Sequence, residues 1–422
     1  MGLLRSILGN LRRGSAPNPD ALHHRLAEAI GRGERRTALA LCDEILERWP
    51  DDSKALTAAA VIRLKDGEPV RAAEHFARLE ELSSGGTRTA RLVRESLIDP
   101  ARAARSEPYV AALDEVLVDT TYWAVIDGDR LFTRETQART ITNSPLVRGR
   151  ASRDGSQCVA TLPRAPQRID EPCVLLGSDD NYAHWVLRNL LKLSLLDGAG
   201  IAPGVRLLVR EDLRRWQREY LDLLGISEER LLRVPAESVV ACRRLYVPTQ
   251  LRNHPRMREG VDWLRARLGT LLAPSAEALG FIYASRREQK RRSLLNEAQV
   301  EAALAPLGFR IIVPGEMSVR EQIAAFSRAG VVVAPHGAAL ANMAFAPSGA
   351  TLVEIVSEPI LHMDEFRFLC AACGMQARSI VSRDLEAAAP AADAPEMHRN
   401  YRVDVDEVLS TVGEVLASRS TR

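Results

Sequence analysis

Residues 331–342 of the chain read VVVAPHGAALAN in one-letter code, and the fold that we predict depends on this stretch. The unbroken apolar, β-branched run is typical of a strand that is buried on both faces of a parallel sheet. It ends at Pro335, passes Gly337 and continues in small residues, which predicts a strand–loop–helix corner. Such a corner suits a bound anion, typically a phosphate, because the first helical N–H groups are free and the helix dipole is positive there. A helix start that only packs tightly under the sheet fits the same residues.

Alternating apolar strands and amphipathic helices surround this corner. Strands are predicted near 280–284, 309–313 and 351–356, with helices near 296–306 and 318–329. Earlier in the chain, a similar but shorter set of strands and helices covers roughly 116–247, with a hairpin at Asp127-Gly128. Because this alternation is typical of doubly wound parallel sheets, we predict an α/β protein with two Rossmann-like domains that face a cleft.

The N-terminal part of the chain contains an internal repeat. Gly33-Glu34 recurs as Gly67-Glu68, 34 positions later, and each glycine lies between two helical patterns. This period resembles that of tetratricopeptide repeats, which pair two helices per repeat. Fewer than three repeats are visible, so we expect this all-α segment to dock on another surface. It is either a module that binds a partner protein or a second copy, or a helical cap on the rest of the chain.

Composition limits the classes of function. The chain has 422 residues, of which 46% are hydrophobic, and a net charge of +2, so no nucleic-acid partner is expected. Six scattered cysteines indicate reduced thiols, and we interpret Cys370 and Cys373 as buried helical residues. No apolar run is long enough to span a membrane. The basic start, 1–19, predicts either a small amphipathic helix on an anionic membrane or a frayed terminus, so we expect a cytoplasmic protein with inner-membrane contact left open.

Two groups of residues could carry chemistry at strand ends. Ser285-Arg286 follows one predicted strand, Arg291 lies a few residues later, and Glu354 belongs to the strand after the glycine corner. Arginines beside a helix terminus suit a pyrophosphate, and a carboxylate suits the hydroxyls of a ribose. In the earlier half, Asp180 or Asn181 can cap a helix whose first turn contains His184. Either His184 or Asp180 could act as a general base, or the segment could be a plain capping loop.

Several motifs are absent from the sequence. The chain has no G-x-G-x-x-G, Walker-type or G-x-S-x-G motif. We also identify no Asp-x-Asp pair of the kind that holds a divalent ion beside a nucleotide sugar, since Asp127-Gly128 is assigned to the hairpin. A site without a metal ion or another cofactor, in which arginines and a helix dipole bind the anion, is the simpler hypothesis.

Taken together, these segments resemble glycosyltransferase family 61. The resemblance rests on an ordered set of motifs between about 110 and 385: Tyr182, His184 and Trp185; Ser285 and Arg286; Asn296 and Glu297; Pro335, His336, Gly337, Ala338, Leu340 and Asn342; and Glu354. One position departs from the family pattern, because Arg188 stands where many members have an acidic residue four positions after the histidine.

The resemblance implies a GT-B fold and an inverting, metal-independent transfer of a hexose or pentose from a nucleotide sugar, usually a UDP-sugar, to a glycan or protein hydroxyl. On this basis we expect the following five segments: a basic N-terminal segment at 1–19, helical repeats at 20–100, an acceptor domain at 108–255, a nucleotide-sugar domain at 275–390 and a C-terminal helix at 400–422.

The resemblance also suggests roles for individual residues. The donor diphosphate would lie on Gly337 and Ala338, with the remaining expected donor contacts from Ser285, Arg286, Arg291, His336, Asn342 and Glu354, and the base would be His184 or Asp180. Two alternatives stay open. One is a pyruvyl-type group transferase that acts on a polysaccharide precursor, and the other is a non-catalytic binding module of a polysaccharide assembly complex.

Overall fold

A computed structural model describes residues 20–133, 136, 146–147, 150–272, 280–386 and 396–420. The basic segment predicted at 1–19 and the linker expected near 273–275 lie outside the described residues. No helix among the described residues is long and apolar enough to cross a membrane.

Four helices form the N-terminal segment: α1 Asp20–Gly31, α2 Arg35–Arg48, α3 Ser53–Lys65 and α4 Pro69–Ser84. The repeated glycines lie in the α1–α2 and α3–α4 turns, where Gly33 and Gly67 have φ of +75° and +87°. Only glycine adopts this left-handed conformation at little cost, which explains why it recurs at this spacing. Between the two helix pairs, the Asp52 carboxylate caps α3 by accepting from the N–H groups of Lys54 and Ala55.

This helical segment docks on the neighbouring sheet. Phe76 of α4 is buried in one cluster with Val159 of that sheet, and the guanidinium of Arg150 lies 4.5 Å from the centre of its ring. Arg150 Nη2 also donates to Glu80 Oε1 at 2.8 Å, and Lys65 Nζ donates to the carbonyl of Ala151 at 2.9 Å. These contacts favour the interpretation of the segment as a cap.

The first sheet has ten strands, which together with their helices we call the first unit. The strands are β1 Arg88–Ser96, β2 Val110–Asp119, β3 Val125–Asp127, β4 Arg130–Phe132, β5 Gln157–Pro163, β6 Gln167–Ile169, β7 Cys173–Leu175, β8 Arg206–Arg210, β9 Leu231–Val234 and β10 Val239–Pro248, with a short helix α5 Pro100–Ala104 after β1. They follow the order β5-β1-β4-β3-β2-β10-β7-β8-β9, and β6 pairs with β10.

The prediction of a parallel, doubly wound sheet is only partly right for this unit. Strands β10, β7, β8 and β9 are mutually parallel, but β10 also pairs antiparallel with β2 along its whole length. The antiparallel extension arises because tight turns return the chain at once, as at the β3–β4 hairpin, where Gly128 has a φ of +59°. That hairpin was predicted correctly, whereas β1 and β5 were not predicted.

Three helical segments belong to the first unit: α6 Tyr182–His184, α7 Arg215–Leu223 and α8 Met257–Arg267. The first of these continues through a π-helical turn, Trp185–Leu190, and a 3₁₀ turn, Leu191–Leu195, so the predicted helix at 182–196 is present but not regular. All six residues of the π turn are buried. Such turns are rare and occur frequently at functional sites.

The second sheet contains five parallel strands, and with its helices it forms the second unit. Its elements are β11 Gly280–Ala284, α9 Glu297–Leu304, β12 Phe309–Ile312, α10 Val319–Ser327, β13 Ala329–Pro335, β14 Thr351–Ser357, α11 Glu365–Ala372, β15 Gln376–Ser382 and α12 Val405–Ser420. A separate two-stranded ribbon joins β16 Asp384–Leu385 to β17 Tyr401–Arg402.

The strand order β12-β11-β13-β14-β15 makes this sheet doubly wound, as predicted. Alternate residues of β13 face opposite helical layers: Val332 and Ala334 pack with α10 and α11, whereas Val331 and Val333 pack with α9 and α12. The C-terminal helix α12 therefore packs on the second unit, against α9, β14 and β15. Cys370 and Cys373 are free and buried, as predicted.

The glycine corner differs from the prediction in one respect. All seven residues of β13 are buried, but the helix that follows, Ala338–Phe345, is a 3₁₀ helix rather than an α-helix. Small alanine side chains tolerate the eclipsed i, i+3 positions of this tighter helix. The strand order changes direction between β11 and β13, and ligands of such sheets bind where this happens, at the carboxyl ends of the strands.

The two units share one buried core, in which α6 and its continuation pack against the 3₁₀ helix and α10. Inside this interface, the Tyr182 hydroxyl donates to Asn342 Oδ1 at 2.7 Å, and Asn342 Nδ2 donates to Gln322 Oε1 at 2.8 Å. Asn342 is completely buried, so its amide has no access to water as an alternative partner.

We expect Asn342→Ala to lower the free energy of unfolding by about 2–3 kcal/mol, because it removes the buried donor to Gln322 Oε1 and leaves the Tyr182 hydroxyl with Tyr220 as its remaining partner. Urea unfolding followed by tryptophan fluorescence measures this loss. Gln299→Ala on the exposed face of α9 is the matched control and should change little. A loss below about 0.5 kcal/mol for Asn342→Ala would contradict the bridging role.

Candidate active site

A pocket of about 460 Å³ lies between the two units at the switch point of the second sheet. Its wall combines a cluster of histidines and arginines with the glycine corner. The first unit contributes Ala183, His184, Arg188 and Arg252, and the second contributes Arg292, His336, Gly337, Ala338, Glu365 and His398. The structure thus brings His184 and the glycine corner, which were predicted from separate parts of the sequence, into one pocket.

His184 is held by a carboxylate from its own N-terminal loop. Asn181 caps α6 by accepting from the N–H groups of Ala183 and His184, which sets the ring at the start of the helix. His184 Nδ1 lies 2.9 Å from Asp179 Oδ2, and 12% of the histidine side chain is exposed. Because Asp179 accepts from Nδ1–H, the other ring nitrogen, Nε2, is left to accept a proton in the neutral imidazole.

The charge state of the His184–Asp179 pair follows from burial, from their hydrogen bond and from the neighbouring charges. Burial lowers the pKa of His184 below its ordinary value of 6.5, and the nearby Arg188 and Arg252 guanidiniums act in the same direction against the raising effect of Asp179. For Asp179, burial alone would raise the pKa, but the His184 hydrogen bond and charge outweigh it and lower the pKa. The pair is therefore a neutral imidazole and an ionised carboxylate at neutral pH, which is the state a general base requires.

His336 is oriented in the same way from the second unit. Its Nδ1 lies 2.7 Å from Glu354 Oε1, and Arg367 Nη1 donates to Glu354 Oε2 at 2.9 Å. Only 3% of His336 is exposed, and its ring lies 5.2 Å from that of Phe366. Two imidazoles, each hydrogen-bonded to a carboxylate, thus line one pocket, one from each unit.

The expectation that Glu354 binds a ribose does not agree with this geometry. Strand β14 continues three residues beyond Glu354, so the carboxylate lies within the sheet instead of at its end. It is completely buried, and His336 and Arg367 occupy its two oxygens. Glu354 therefore orients His336.

Arg286 lies directly against the glycine corner, as expected. Its Nη1 donates to the carbonyl of His336 at 2.6 Å, and a Cβ atom built on Gly337 would lie 2.5 Å from its Nε. Glycine is required at 337 because any side chain would displace this guanidinium. Glu297 holds the loop from below, since its Oε1 accepts from the N–H of Arg286 at 2.8 Å and from the Tyr283 hydroxyl at 2.9 Å.

The second arginine of the pocket is Arg292, and not Arg291 as predicted. Arg291 is exposed, whereas Arg292 is half-buried and lines the pocket. Burial and the charge of Arg286 lower the pKa of Arg292. Among the described residues, neither Arg286 nor Arg292 pairs with a carboxylate, and Arg292 Nε and His398 Nδ1 are buried without a hydrogen-bond partner. Buried cationic and polar groups in this state are suited to an anion.

Three further predicted residues occupy other places. Ser285 is almost fully buried, and its N–H donates to the carbonyl of Ile312, so it lies beneath the pocket. Asn342 lies in the interface between the units and does not line the pocket. Asp180 pairs with Arg210 at 2.8 Å and Arg214 at 3.2 Å and lines a separate cavity. The structure thus places His184, and not Asp180, at the pocket.

One ion pair crosses the pocket. Arg252, in the loop after β10, pairs with Glu365 at the start of α11. Burial alone would raise the pKa of Glu365, but Arg252 and the two histidines reverse the effect and lower it. This pair joins the units.

No motif in the sequence indicated Asp179, Arg252, Arg292 or His398. Asp179 precedes a histidine in a capping loop, and Arg292 adjoins a residue that was predicted, so both lay close to recognised segments. Arg252 and His398 come from loops that are distant in sequence, and only the packing of the units brings them to the pocket.

We expect His184 to titrate below 6.5, and Asp179→Asn to lower its pKa further, because the substitution removes the group that stabilises the imidazolium. Histidine-selective ¹³C labelling followed by NMR over a pH series measures both midpoints, with His184→Gln to assign the signal. A His184 midpoint above 6.5, or a rise in Asp179→Asn, would contradict the arrangement.

Comparison with known proteins places part of the chain in a family. The family model of glycosyltransferase 61 matches residues 182–353, a segment that contains both histidines, Arg286 and the glycine corner. No curated protein matches the chain significantly. Among solved structures, the dodecameric iron-containing heptosyltransferase TibC in complex with ADP-D-β-D-heptose is similar at 13% identity and a TM-score of 0.25, over 58% of this chain and 73% of that one. A structural similarity with so low a TM-score supports no conclusion about this chain. The match to the glycosyltransferase 61 model thus covers residues 182–353, less than half of the chain, and supports a glycosyltransferase domain there.

Proposed function

We propose that the protein is an inverting glycosyltransferase of GT-B architecture that moves a sugar from a nucleotide donor to a hydroxyl group of a glycan or protein acceptor. UDP is the nucleotide that the family resemblance implies. The observation that carries the proposal is the pair of guanidiniums, Arg286 and Arg292, that lies beside Gly337 without carboxylate partners among the described residues. The N-terminal helices, of tetratricopeptide-like form, cap the first unit in this proposal.

The donor diphosphate binds at the glycine corner. The first hydrogen bond of the 3₁₀ helix runs from the N–H of Leu340 to the carbonyl of Gly337, so the N–H groups of Ala338 and Ala339 precede the helical ladder. They bind the anion together with the guanidinium of Arg286, and Arg292 lines the same pocket. These arginines neutralise the negative charge that develops on the leaving diphosphate. In other transferases a divalent ion has this role.

His184 acts as the base in this proposal. Its Nε2 takes the proton of the acceptor hydroxyl while the hydroxyl oxygen forms a bond to the anomeric carbon of the donor sugar. The bond from that carbon to the diphosphate breaks on the opposite face, so the configuration inverts with one base. Asp179 stabilises the imidazolium that forms, which compensates for Arg188 at the position where an acidic residue is common. His336, whose Nδ1 is oriented by Glu354, accepts a hydrogen bond from a hydroxyl of the donor sugar at Nε2. This His184–Asp179 pair favours a catalyst over a binding module.

We expect Arg286→Ala to weaken UDP binding roughly 10- to 100-fold and to abolish sugar transfer, because charge-assisted hydrogen bonds to phosphate are lost. Calorimetric titration with UDP and a product assay by mass spectrometry measure the two effects. Arg287→Ala is the matched control, since Arg287 is exposed and pairs with Glu301 at 3.3 Å. Normal UDP affinity and transfer in Arg286→Ala would overturn the assignment.

Arg292 and Arg291 form a second matched pair. We expect Arg292→Ala to weaken UDP binding about tenfold, whereas Arg291→Ala should leave it nearly unchanged, because only Arg292 lines the pocket. The same titration decides between them, and a larger effect for Arg291 would show that the pocket is assigned to the wrong arginine.

A further inference from the structure

We propose that a second cavity, on the far side of Asp179, binds an uncharged sugar ring of the acceptor, and that the acceptor is an oligosaccharide. This inference rests on the proposed glycosyltransferase function and names the substrate class that the first unit selects. The cavity measures about 310 Å³, and the residues that matter are Tyr122, Trp123, Asp179, Asp180, Arg210 and Glu237. It lies at the carboxyl ends of β7 and β8, where ligands of α/β sheets bind.

The cavity adjoins the proposed base. Asp179 forms part of its wall and at the same time bonds to His184 Nδ1, whose ring lines the donor pocket. Because Asp179 bonds to Nδ1, an acceptor that holds one ring in this cavity has to pass around Asp179 to reach His184 Nε2. The acceptor in this proposal therefore has at least one further ring, which lies in the donor pocket on the side opposite the diphosphate.

Its walls are held in uncommon backbone conformations. Trp123 has a φ of +62° and Glu237 has a φ of +52°, a region that non-glycine residues seldom occupy. At Trp123 the structure enforces this conformation, since its Nε1 donates to the carbonyl of Ser178 at 2.8 Å and the Asp119 carboxylate accepts from the N–H of Thr121 at 3.0 Å. Such strain persists where the surroundings impose it, and here it leaves the Tyr122 ring half-buried in the cavity wall. An aromatic face of this kind packs against the apolar face of a sugar.

The charges of the cavity select against acidic sugars. Its single guanidinium, Arg210, is already paired, with Asp180 at 2.8 Å and with Asp212 at 3.0 Å. The cavity wall has three carboxylates against this one guanidinium: Asp179, Asp180 and Glu237. Asp180 and Glu237 are exposed. Carboxylates accept hydrogen bonds from sugar hydroxyls but repel uronate and phosphate groups. The donor pocket has the opposite charge, so the anionic donor and the acceptor are directed to different sides of His184.

A larger cavity of about 870 Å³ adjoins this one and shares Thr121 and Glu237 with it. The larger cavity extends to Arg88 and Arg150, at the junction with α4. A chain of several sugars that leaves the first cavity past Glu237 therefore meets a second concave surface. This adjacency favours an oligosaccharide over a single sugar or a small alcohol.

The test uses the full chain with UDP present and measures saccharide binding by saturation-transfer NMR and calorimetry. The probes are neutral xylo-, cello- and manno-oligosaccharides, compared with oligogalacturonate of matched length. We expect at least one neutral probe to bind and oligogalacturonate not to bind. Tyr122→Ala and Glu237→Gln should each weaken the neutral probe about tenfold while UDP affinity is unchanged. Glu229→Gln, an exposed carboxylate outside the cavity, is the control.

The outcomes separate this inference from the proposed function. Failure of all neutral probes to bind, equal binding of oligogalacturonate, or normal binding in both cavity variants would overturn the inference while UDP binding still supports the transferase. Loss of UDP binding in the unmodified chain would instead contradict the proposed function. Because Glu237 is exposed, its variant leaves the core intact and keeps the test valid even if Tyr122→Ala unfolds.

Discussion

The close approach of Arg286 to Gly337 is the constraint on which the rest of the site depends. The guanidinium occupies the space that a side chain at 337 would need, and it donates to the carbonyl of His336. This contact joins the loop after β11 to the corner after β13, the two strands between which the order of the sheet reverses. It therefore brings a guanidinium, free backbone N–H groups and an imidazole together at the glycine corner. This combination suits a phosphate group.

Two histidine–carboxylate pairs meet across the pocket, and each belongs to a different unit. Asp179 and His184 come from the loop that starts α6, whereas Glu354 and His336 come from neighbouring strands of the second sheet. A single hydrogen bond sets the tautomer of each ring. The relative position of the two rings depends instead on the shared core and on the bridge from Tyr182 through Asn342 to Gln322. The contacts that stabilise the interface between the units therefore also set the geometry of the site.

Local patterns predicted the second unit well. Its valine-rich strands are short, buried and separated by clear helical periods, so alternation alone indicated a doubly wound sheet. The first unit was harder to predict, because β1 carries an arginine at every third position, 88, 91 and 94, and its apolar signal is weak. Its antiparallel strands also pair with partners that are distant in sequence, and pairing of that kind leaves no periodic signal. The same limit applies to the site, where Arg286 and His184 stood in recognisable motifs but Asp179, Arg252 and His398 did not.

The sequence by itself determined the buried strands of the second sheet, the glycine corner and the family motifs, because each depends on residues that are close together in the chain. Only the tertiary structure decided which side chains reach the pocket. It placed Arg292 there instead of Arg291, and it buried Glu354 behind His336. The physical reason is that exposure and charge pairing depend on contacts between distant segments, and a difference of one residue changes which side of the backbone a side chain occupies.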